Sequence, residues 1–386
     1  MRILIGCDTF QPDVNGAARF AERLAAGLVD RGHQVRVIAP APSRGRVGIF
    51  REKVEGRELI VYRWPSVRWY PHEWLRFTWP WRTPALSRPI LDDFKPDVVH
   101  FQSHIICGRG LSVEARKRGI RLIATNHVMP ENILEHTLLK GPLNDAFIRW
   151  NWGDLTRILS RADAVTTPTP RAAEFLERNT SLRGVIPVSC GVDTSHYRPD
   201  LEPRTEDRLL FVGRLTLEKE VDVILRAFAS LRRQRPPILE IVGEGDQRRH
   251  LEALARELGV ADRVVFHGKT SDEDLVAAYS RATAFVIASI AELQSIATLE
   301  AMSSGLPVIA ADAMALPHLV TEGVNGYLFP PGDDAALAQR IQAVLEQSRE
   351  QRLAMQNASL QAVMVHDINR TLDTFEALYR GEAPQD

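Results

Sequence analysis

The sequence predicts an α/β protein with two Rossmann-like domains, each built on a parallel sheet, and three observations support this. Short apolar runs alternate with segments of helical period along nearly the whole chain, which is typical of a parallel sheet with helices on both faces. The chain has 386 residues, too many for one ordinary core. A polar stretch with two prolines, 197–208, separates two such series. We therefore predict facing domains over 1–195 and 196–366.

The order of apolar runs assigns the main elements. Met1–Cys7 is predicted to be a buried strand. Gly16–Arg31 is predicted to be a helix because Phe20, Leu24 and Leu28 recur at the spacing of one helix face. Further strands of the first domain are predicted at 34–40, 97–102, 121–127, 163–169 and 184–193. The second domain is predicted to have strands at 209–215, 239–245, 263–268, 284–289 and 307–312, with helices over 221–233, over 248–258 and from about 297.

Composition excludes several classes of protein. Lys and Arg number 48 against 49 for Asp and Glu, so no basic field favours nucleic acid as a partner. Cys7, Cys107 and Cys190 are scattered, which argues against a disulfide framework or a zinc cluster. The opening turns polar after seven residues, unlike a signal peptide, and no apolar run approaches the roughly 20 residues of a membrane span. We expect a cytoplasmic protein whose membrane contact is peripheral.

Ligands of such sheets bind beyond the carboxyl ends of the strands, here in a cleft between the domains. Glu292 follows a predicted strand, and Glu300 lies eight residues later in a helix, about 12 Å along its axis. The intervening amides of Ser295, Ile296 and Ala297 would open a helix N-terminus, which favours anions. A sugar, a diphosphate and a ribose fit this order.

The two glutamates, followed by AMSSGLPVIA, resemble the donor site of retaining glycosyltransferases of family 4, which have the GT-B fold. The resemblance implies that Glu292 holds hydroxyls of the transferred sugar and that Glu300 holds the nucleoside ribose. It also implies that the last helix, about 367–386, packs back on the first domain. The alternative is that Glu292 is a solvated loop residue and Glu300 an ordinary helix residue.

A second match is FVGRLTLEKE, in which Arg214 and Lys219 lie between a strand and a helix. The resemblance implies that this pair binds the donor diphosphate; Arg offers a planar fork of donors and Lys a mobile point charge. The family more often has glycine where this chain has Glu220. That difference puts the geometry of the turn in doubt but keeps both cations.

The first domain contributes two further matches. Gly16 follows Asn15 after the first strand, where glycine lets the backbone approach a phosphate or sugar closely. His127 ends the predicted strand 121–127, and the resemblance implies that it contacts the transferred sugar near the reaction centre. The alternative for His127 is a hydrogen-bonded structural residue.

Two loops of the second domain carry weaker signals. Gly243 lies in VGEG, which lacks the third glycine of a dinucleotide fingerprint and is predicted to line the donor site. Lys269 lies in FHGK, which resembles a segment that touches the nucleobase. The aspartate pairs at 92–93 and 333–334 are assigned to helix starts. Because family-4 enzymes generally need no metal, no cofactor or metal ion is expected.

The segment Trp64–Arg88 holds five of the seven tryptophans, interleaved with arginines. Aromatic rings and cations together suit a membrane interface, and they also suit a packed loop of stacked Arg and Trp side chains. The tryptophans are Trp64, Trp69, Trp74, Trp79 and Trp81.

The reaction expected from the resemblance is transfer of a hexose, with retention, from a nucleoside diphosphate sugar to a hydroxyl of a membrane glycolipid. GDP-mannose is the preferred donor and UDP-glucose the alternative, and the enzyme is expected on the inner face of the plasma membrane. Two other classes stay open: a nucleotide-sugar epimerase or phosphorylase on the same fold, and a non-catalytic membrane-associated binding protein.

Overall fold

The computed structural model describes four stretches of the chain, namely residues 1–13, 15–68, 76–128 and 142–383. Its backbone divides into two compact units. The amino-terminal unit comprises Met1–Cys190 and Asn369–Asp386, and the carboxyl-terminal unit comprises Gly191–Ile368. None of the described helices is long and apolar enough to cross a membrane.

The amino-terminal unit is built on an eight-stranded sheet. Its strands are β1 (Arg2–Gly6), β2 (Gln34–Pro40), β3 (Gly48–Val54), β4 (Arg57–Trp64), β7 (Val98–Phe101), β8 (Arg121–Thr125), β9 (Ala164–Thr167) and β10 (Ile186–Pro187), and a separate two-stranded ribbon pairs β5 (Val67–Arg68) with β6 (Arg76–Phe77). The order in the large sheet is β10-β9-β8-β7-β1-β2-β4-β3, and all neighbours run parallel except β3 and β4. The hairpin β3–β4 is absent from the sequence prediction, and the strand predicted at 184–193 shortens to two residues.

Among the described residues, this unit has five complete helices and a sixth that belongs to it from Asn369 onward. They are α1 (Gly16–Asp30), α2 (Thr83–Phe94), α3 (Cys107–Lys117), α4 (Pro142–Leu159), α5 (Pro170–Asn179) and α12 (Ile368–Arg380). From Asn369 onward α12 packs on α1, where Gly27 leaves room for Leu372: a Cβ at Gly27 would lie 2.7 Å from Leu372 Cδ1. Arg31 at the end of α1 pairs with Asp373 and Glu376 at 2.5 and 2.8 Å. The last helix is therefore part of the amino-terminal unit.

The carboxyl-terminal unit is a six-stranded, fully parallel sheet. Its strands are β11 (Arg208–Val212), β12 (Ile238–Val242), β13 (Val264–Gly268), β14 (Ala284–Ile287), β15 (Val308–Ala311) and β16 (Gly326–Phe329). Its helices are α6 (Val221–Ser230), α7 (Arg248–Glu257), α8 (Asp272–Arg281), α9 (Ile296–Ser303), α10 (Asp334–Leu345) and α11 (Arg349–Val363). The central strands β11, β12, β14 and β15 are largely buried, as expected for a parallel sheet between helical layers. The predicted class, two Rossmann-like α/β domains with parallel sheets, is confirmed.

Each sheet has one point where the strand order reverses. In the carboxyl-terminal unit the chain runs from β11 outward to β12 and β13, then returns to the other side of β11 as β14. In the amino-terminal unit β1 lies between β2 and β7 in the same way. Loops that leave adjacent strands in opposite directions open a crevice at their carboxyl ends, so these two points are where each unit can bind a ligand.

An ion cluster centred on a buried glutamate links β11, β12, β13 and α8. Glu240 of β12, 2% exposed, accepts hydrogen bonds from Arg208 at 2.7 Å, from Arg281 at 2.9 Å and from His267 at 2.9 Å. Burial alone would raise the pKa of Glu240, but the bonds from Arg281 and Arg208 outweigh it and lower the pKa to about 2. The carboxylate is thus stabilised in its charged form within the fold.

We expect Glu240→Gln to lower the free energy of unfolding at pH 7 by about 2 kcal/mol, since Arg281 loses this counter-ion and Arg208 keeps, among the described residues, only its pair with Glu206. The folded-state pKa lies below the ordinary value of 4.5, so Glu240 adds stability above pH 4.5 that is lost as the pH falls toward 2. Denaturant unfolding across this range should be less pH-dependent in the variant. Glu58→Gln is the control, because Glu58 is exposed and lies 4.0 Å from Arg51. An unchanged pH dependence in Glu240→Gln would contradict the assignment.

Candidate active site

The loops after β11 and β14 meet at the reversal point of the carboxyl-terminal sheet. Lys219 Nζ donates a short hydrogen bond to Glu292 Oε1, and the two side chains are only 15% and 13% exposed. The backbone amide of Ile290 donates to the Glu218 carbonyl at 3.0 Å, which ties the same two loops together. The structure therefore brings together two site residues that are 73 positions apart in the sequence.

Arg214 is held beside this pair by a buried acid that the sequence prediction passed over. Arg214 Nη2 lies 3.5 Å from Glu218 Oε1, and Thr216 Oγ1 donates to the same oxygen at 2.6 Å. Burial raises the pKa of Glu218, yet the Thr216 hydrogen bond and the charge of Arg214 lower it below its ordinary value. The Glu218 carboxylate pairs with the guanidinium, which stays partly exposed. Glu218 is thus a positioning residue for Arg214.

The residue after Lys219 has an unusual backbone. Glu220 has φ 45° and ψ 41°, the left-handed region that favours glycine, and it precedes the first residue of α6. The turn is therefore the one that glycine would make, built here at the cost of a strained non-glycine residue. The doubt about its geometry is resolved, because Lys219 still reaches Glu292.

Gly243 shapes the loop after β12 by allowing two backbones to touch. Its φ is 136°, and a Cβ there would lie 1.9 Å from the carbonyl oxygen of Gly213, just after β11. Gly245 makes a similar close approach, since a Cβ there would lie 2.2 Å from the carbonyl oxygen of Leu215. The role of Gly243 visible in the structure is close packing against the loop that carries Arg214.

The segment after Glu292 forms α9, as predicted. Ser295 is the N-cap, and its side chain accepts from the amide of Thr298 at 3.2 Å, while Ile296 and Ala297 form the first turn. Glu300 is 5% exposed and accepts a hydrogen bond from Tyr279 of α8 at 3.0 Å. Both glutamates are thus largely enclosed, so Glu292 is not a solvated loop residue, and the binding roles of the two residues stay predictions.

Lys269 lies apart from this cluster. It follows β13, the edge strand two positions from β11, so about 10 Å of sheet separates the two strands. Its side chain is exposed, whereas the preceding His267 is engaged by Glu240. The described structure gives Lys269 no contact with Lys219 or Glu292.

Gly16 and its neighbour open α1 at the reversal point of the amino-terminal sheet. Asn15 is the N-cap, and its Oδ1 accepts from the amide of Ala18 at 2.9 Å and from the Thr9 hydroxyl at 3.1 Å. Gly16 is the first residue of the helix and has no side chain to cover the amides of the first turn. This is a capped helix end within reach of the β1 loop.

His127 lies two residues beyond the end of β8 and packs on α1. Its ring centroid lies 4.9 Å from that of Phe20, and its Nε2 has no hydrogen-bond partner among the described residues. Burial lowers the pKa of His127 to about 4, so the ring is neutral at physiological pH. Nε2 therefore lacks the hydrogen bond that a structural histidine, the alternative, would make there.

Asp8, which the sequence prediction missed, occupies the end of β1. Its carboxylate accepts from the amides of Ile106 and Cys107 at 2.9 and 2.7 Å, at the N-terminus of α3. Burial raises the pKa of Asp8 despite these bonds. The signal was an acid immediately after a buried strand, and its role here is to fill the anion-favouring end of α3.

The tryptophan segment divides into buried and exposed parts. Trp64 is 3% exposed, and the adjacent Arg63 is buried in a pair with Glu52 at 2.5 Å, so this end is packed loop and strand. Trp79 and Trp81 are 44% and 71% exposed and stack with their ring centroids 4.8 Å apart. Two tryptophans of the prediction, Trp69 and Trp74, lie outside the described residues.

Comparison with known proteins agrees with the geometry of the site. Residues 14–196 match the family model Glycosyltransferase Family 4, and residues 193–361 match Glycosyl transferases group 1. A GDP-mannose-dependent alpha-mannosyltransferase of Mycolicibacterium smegmatis is 31% identical over 379 residues, 93% of each chain. The chain belongs to glycosyltransferase family 4.

A second relative and a solved structure are also similar to this glycosyltransferase. An alpha-monoglucosyldiacylglycerol synthase of Streptococcus pneumoniae is 26% identical over 356 residues, which is 87% of this chain and 77% of that one. Among solved structures, sucrose-phosphate synthase of Thermosynechococcus elongatus superposes with a TM-score of 0.81 at 21% identity, over 98% of this chain and 99% of that one. That likeness concerns the fold, which is GT-B. The predicted family and fold class are confirmed.

Replacing Glu220 by glycine should stabilise the glycosyltransferase. Glycine adopts the left-handed conformation without the Cβ penalty, so the free energy of unfolding should rise by about 1 kcal/mol. Glu220→Ala is the matched control, since it also removes the carboxylate but keeps the Cβ. Chemical denaturation of the three proteins measures the difference. Equal stability of the glycine and alanine variants would show that the backbone is not strained at this position.

Proposed function

We propose that this glycosyltransferase moves a hexose, with retention and without a metal ion, from a nucleoside diphosphate sugar to a hydroxyl of a membrane glycolipid. The observation that carries the proposal is the enclosed pair of Lys219 and Glu292 at the reversal point of the carboxyl-terminal sheet. A cation next to a carboxylate suits a ligand whose phosphates adjoin sugar hydroxyls. Arg214, oriented by Glu218, adds a second cation.

In this proposal the protein's own side chains and amides stabilise the negative charge of the leaving group. Negative charge grows on the departing diphosphate in the transition state, and preorganised cations stabilise it without reorganisation. Lys219 and Arg214 supply that charge, and the first-turn amides at Ile296 and Ala297 add partial positive charge. Glu300 holds the ribose, Gly243 keeps the adjacent loop close, and Lys269 belongs to the nucleobase end of the site.

Retention follows in this proposal from attack on the same face of the sugar. The bond between the anomeric carbon and the diphosphate oxygen breaks, and the acceptor oxygen bonds to the anomeric carbon on that face. The acceptor proton passes to an oxygen of the departing phosphate, so no carboxylate nucleophile is needed. In this proposal His127, whose ring is neutral, positions the sugar and is not a nucleophile, and the backbone at Gly16 also positions the sugar.

The proposed donor is GDP-mannose, and the similar mannosyltransferase of Mycolicibacterium smegmatis supports it. UDP-glucose is the second candidate, supported by the similar monoglucosyldiacylglycerol synthase of Streptococcus pneumoniae. The name of the Streptococcus pneumoniae relative also supports a lipid acceptor. Exposed Trp79 and Trp81, followed by Arg82, are the proposed point of peripheral contact with the inner face of the plasma membrane.

Replacing Lys219 by Met should weaken binding of the donor diphosphate at least tenfold and reduce turnover further, because a phosphate charge loses its counter-ion. Arg214→Met should act in the same direction. The measurement is calorimetric titration of the purified protein with GDP and UDP, with and without magnesium, followed by transfer rates.

Lys53→Met is the control for these variants, since Lys53 is an exposed residue of β3 in the other unit. Metal-independent binding of one diphosphate by the wild-type protein, lost in both site variants, is the expected result. A wild-type protein that binds neither nucleotide would overturn the proposed function. Full affinity in Lys219→Met would remove this lysine from the donor site.

The double variant Trp79→Ala, Trp81→Ala should weaken binding to vesicles that contain anionic lipid several-fold, while nucleotide affinity stays unchanged. Two stacked, exposed indoles offer the apolar area that sits at headgroup depth. Co-sedimentation with vesicles measures the effect. Ile49→Ala is the control because Ile49 is another exposed apolar side chain, on β3. Unchanged sedimentation of the double variant would exclude this surface as the membrane contact.

A further inference from the structure

A buried glutamine at the carboxyl end of β7 has unmet hydrogen-bonding capacity. Gln102 is 3% exposed, and neither Oε1 nor Nε2 has a partner among the described residues. Its backbone is fixed, since the amide donates to the Gly6 carbonyl at 2.9 Å and continues the ladder between β7 and β1. A buried carboxamide without partners is costly for the folded protein, so a ligand that satisfies it is the simplest reason for its presence.

Gln102 belongs to the face of the sheet that carries His127. On β7 and β8, the side chains of His100 and Thr125 are joined on this face by a hydrogen bond of 2.6 Å between His100 Nε2 and Thr125 Oγ1. Side chains two residues apart on a strand share a face, so Gln102 follows His100 and His127 follows Thr125 on the same side. Phe20 of α1 contacts His127 from above this face.

The side chains of Gln102 and His127 are both uncharged. A carboxamide offers one acceptor and two donor hydrogens, and the neutral imidazole of His127 offers Nε2. The nearby carboxylate of Asp8 is bonded to amides at the N-terminus of α3, so that helix end is already occupied by an anion. Neutral donors and acceptors on one face, at the ends of two adjacent strands, match adjacent hydroxyls of an uncharged sugar ring.

We propose that Gln102, together with His127, binds a pair of neighbouring hydroxyls of an uncharged hexose, and that Gln102 is a specificity residue of this glycosyltransferase. The proposal rests on the proposed function, and it adds a residue and a ligand class to that site. The hexose is either the one carried by the donor or a sugar headgroup of the acceptor, and the two sources give different results below.

The test is Gln102→Met, which keeps the length of the side chain and removes both polar atoms. Calorimetric titrations use GDP, UDP, GDP-mannose and UDP-glucose, and initial rates are measured with octyl α-glucoside and octyl α-mannoside as acceptors. If the donor hexose is the ligand, affinity for the nucleotide sugar should fall about tenfold while affinity for the free diphosphate is unchanged. If the acceptor is the ligand, donor affinity should be unchanged and the KM for the octyl glycoside should rise about tenfold.

Thermal stability separates this role from a structural one. Because Gln102→Met removes unpartnered polar atoms from a buried position, its melting temperature should equal or exceed that of the wild type. Gln356→Met, at a buried glutamine of α11 in the other unit, is the control and should leave every sugar affinity unchanged. Gln102→Glu provides a second variant, which should weaken sugar binding through the cost of burying a charge.

Unchanged nucleotide-sugar affinity and unchanged acceptor KM in Gln102→Met, in a protein whose wild type binds and transfers normally, would overturn the proposal and leave the proposed function intact. Loss of folding in both Gln102 variants would make Gln102 a structural residue, which also overturns it. A wild-type protein that binds no nucleoside diphosphate is a different result, and it removes the proposed function itself.

Discussion

The carboxyl-terminal unit depends on the contact between Lys219 and Glu292. Each of these residues alone would be a poorly solvated charge in a loop, and burial of an unpaired charge is expensive. Together they neutralise one another, and they hold the loops after β11 and β14 at one position above the sheet. The loop conformation needed for this includes a left-handed residue at Glu220 and a backbone contact at Gly243. Local strain is accepted next to the pair because the surrounding contacts determine the backbone there.

The two units handle polarity differently. The carboxyl-terminal site is ionic and contains two ion pairs, Lys219 with Glu292 and Arg214 with Glu218. At the amino-terminal reversal point the acid Asp8 is bonded to a helix end, and Gln102 and His127 are neutral side chains with atoms that lack a partner among the described residues. Ionic side chains suit charged phosphates, and neutral donors and acceptors suit uncharged hydroxyls.

The sequence was most informative where a pattern repeats or where a motif is long. Alternation of strands and helices predicted both parallel sheets, and the spacing of Glu292 and Glu300 predicted the start of α9 within a few residues. It failed where the decisive fact is a distance between remote residues. Gln102 is one polar residue among several after β7, and only the fold shows that no described group pairs with it. The hairpin β3–β4 was missed because its antiparallel pairing interrupts the strand–helix alternation that the prediction relied on.

The packing of α12 on α1 has a consequence for how the chain is made. Residues from Asn369 onward complete the amino-terminal unit: Tyr379 bonds His100 of β7 at 2.8 Å, and Arg121 of β8 donates to the Leu378 carbonyl at 2.6 Å. The ribosome releases these residues only after the whole of Gly191–Ile368, so the second unit is available to fold before the first has all its parts. During synthesis the core around His100 stays incomplete until the last helix has been made. The unit that begins the chain is therefore the last to be completed.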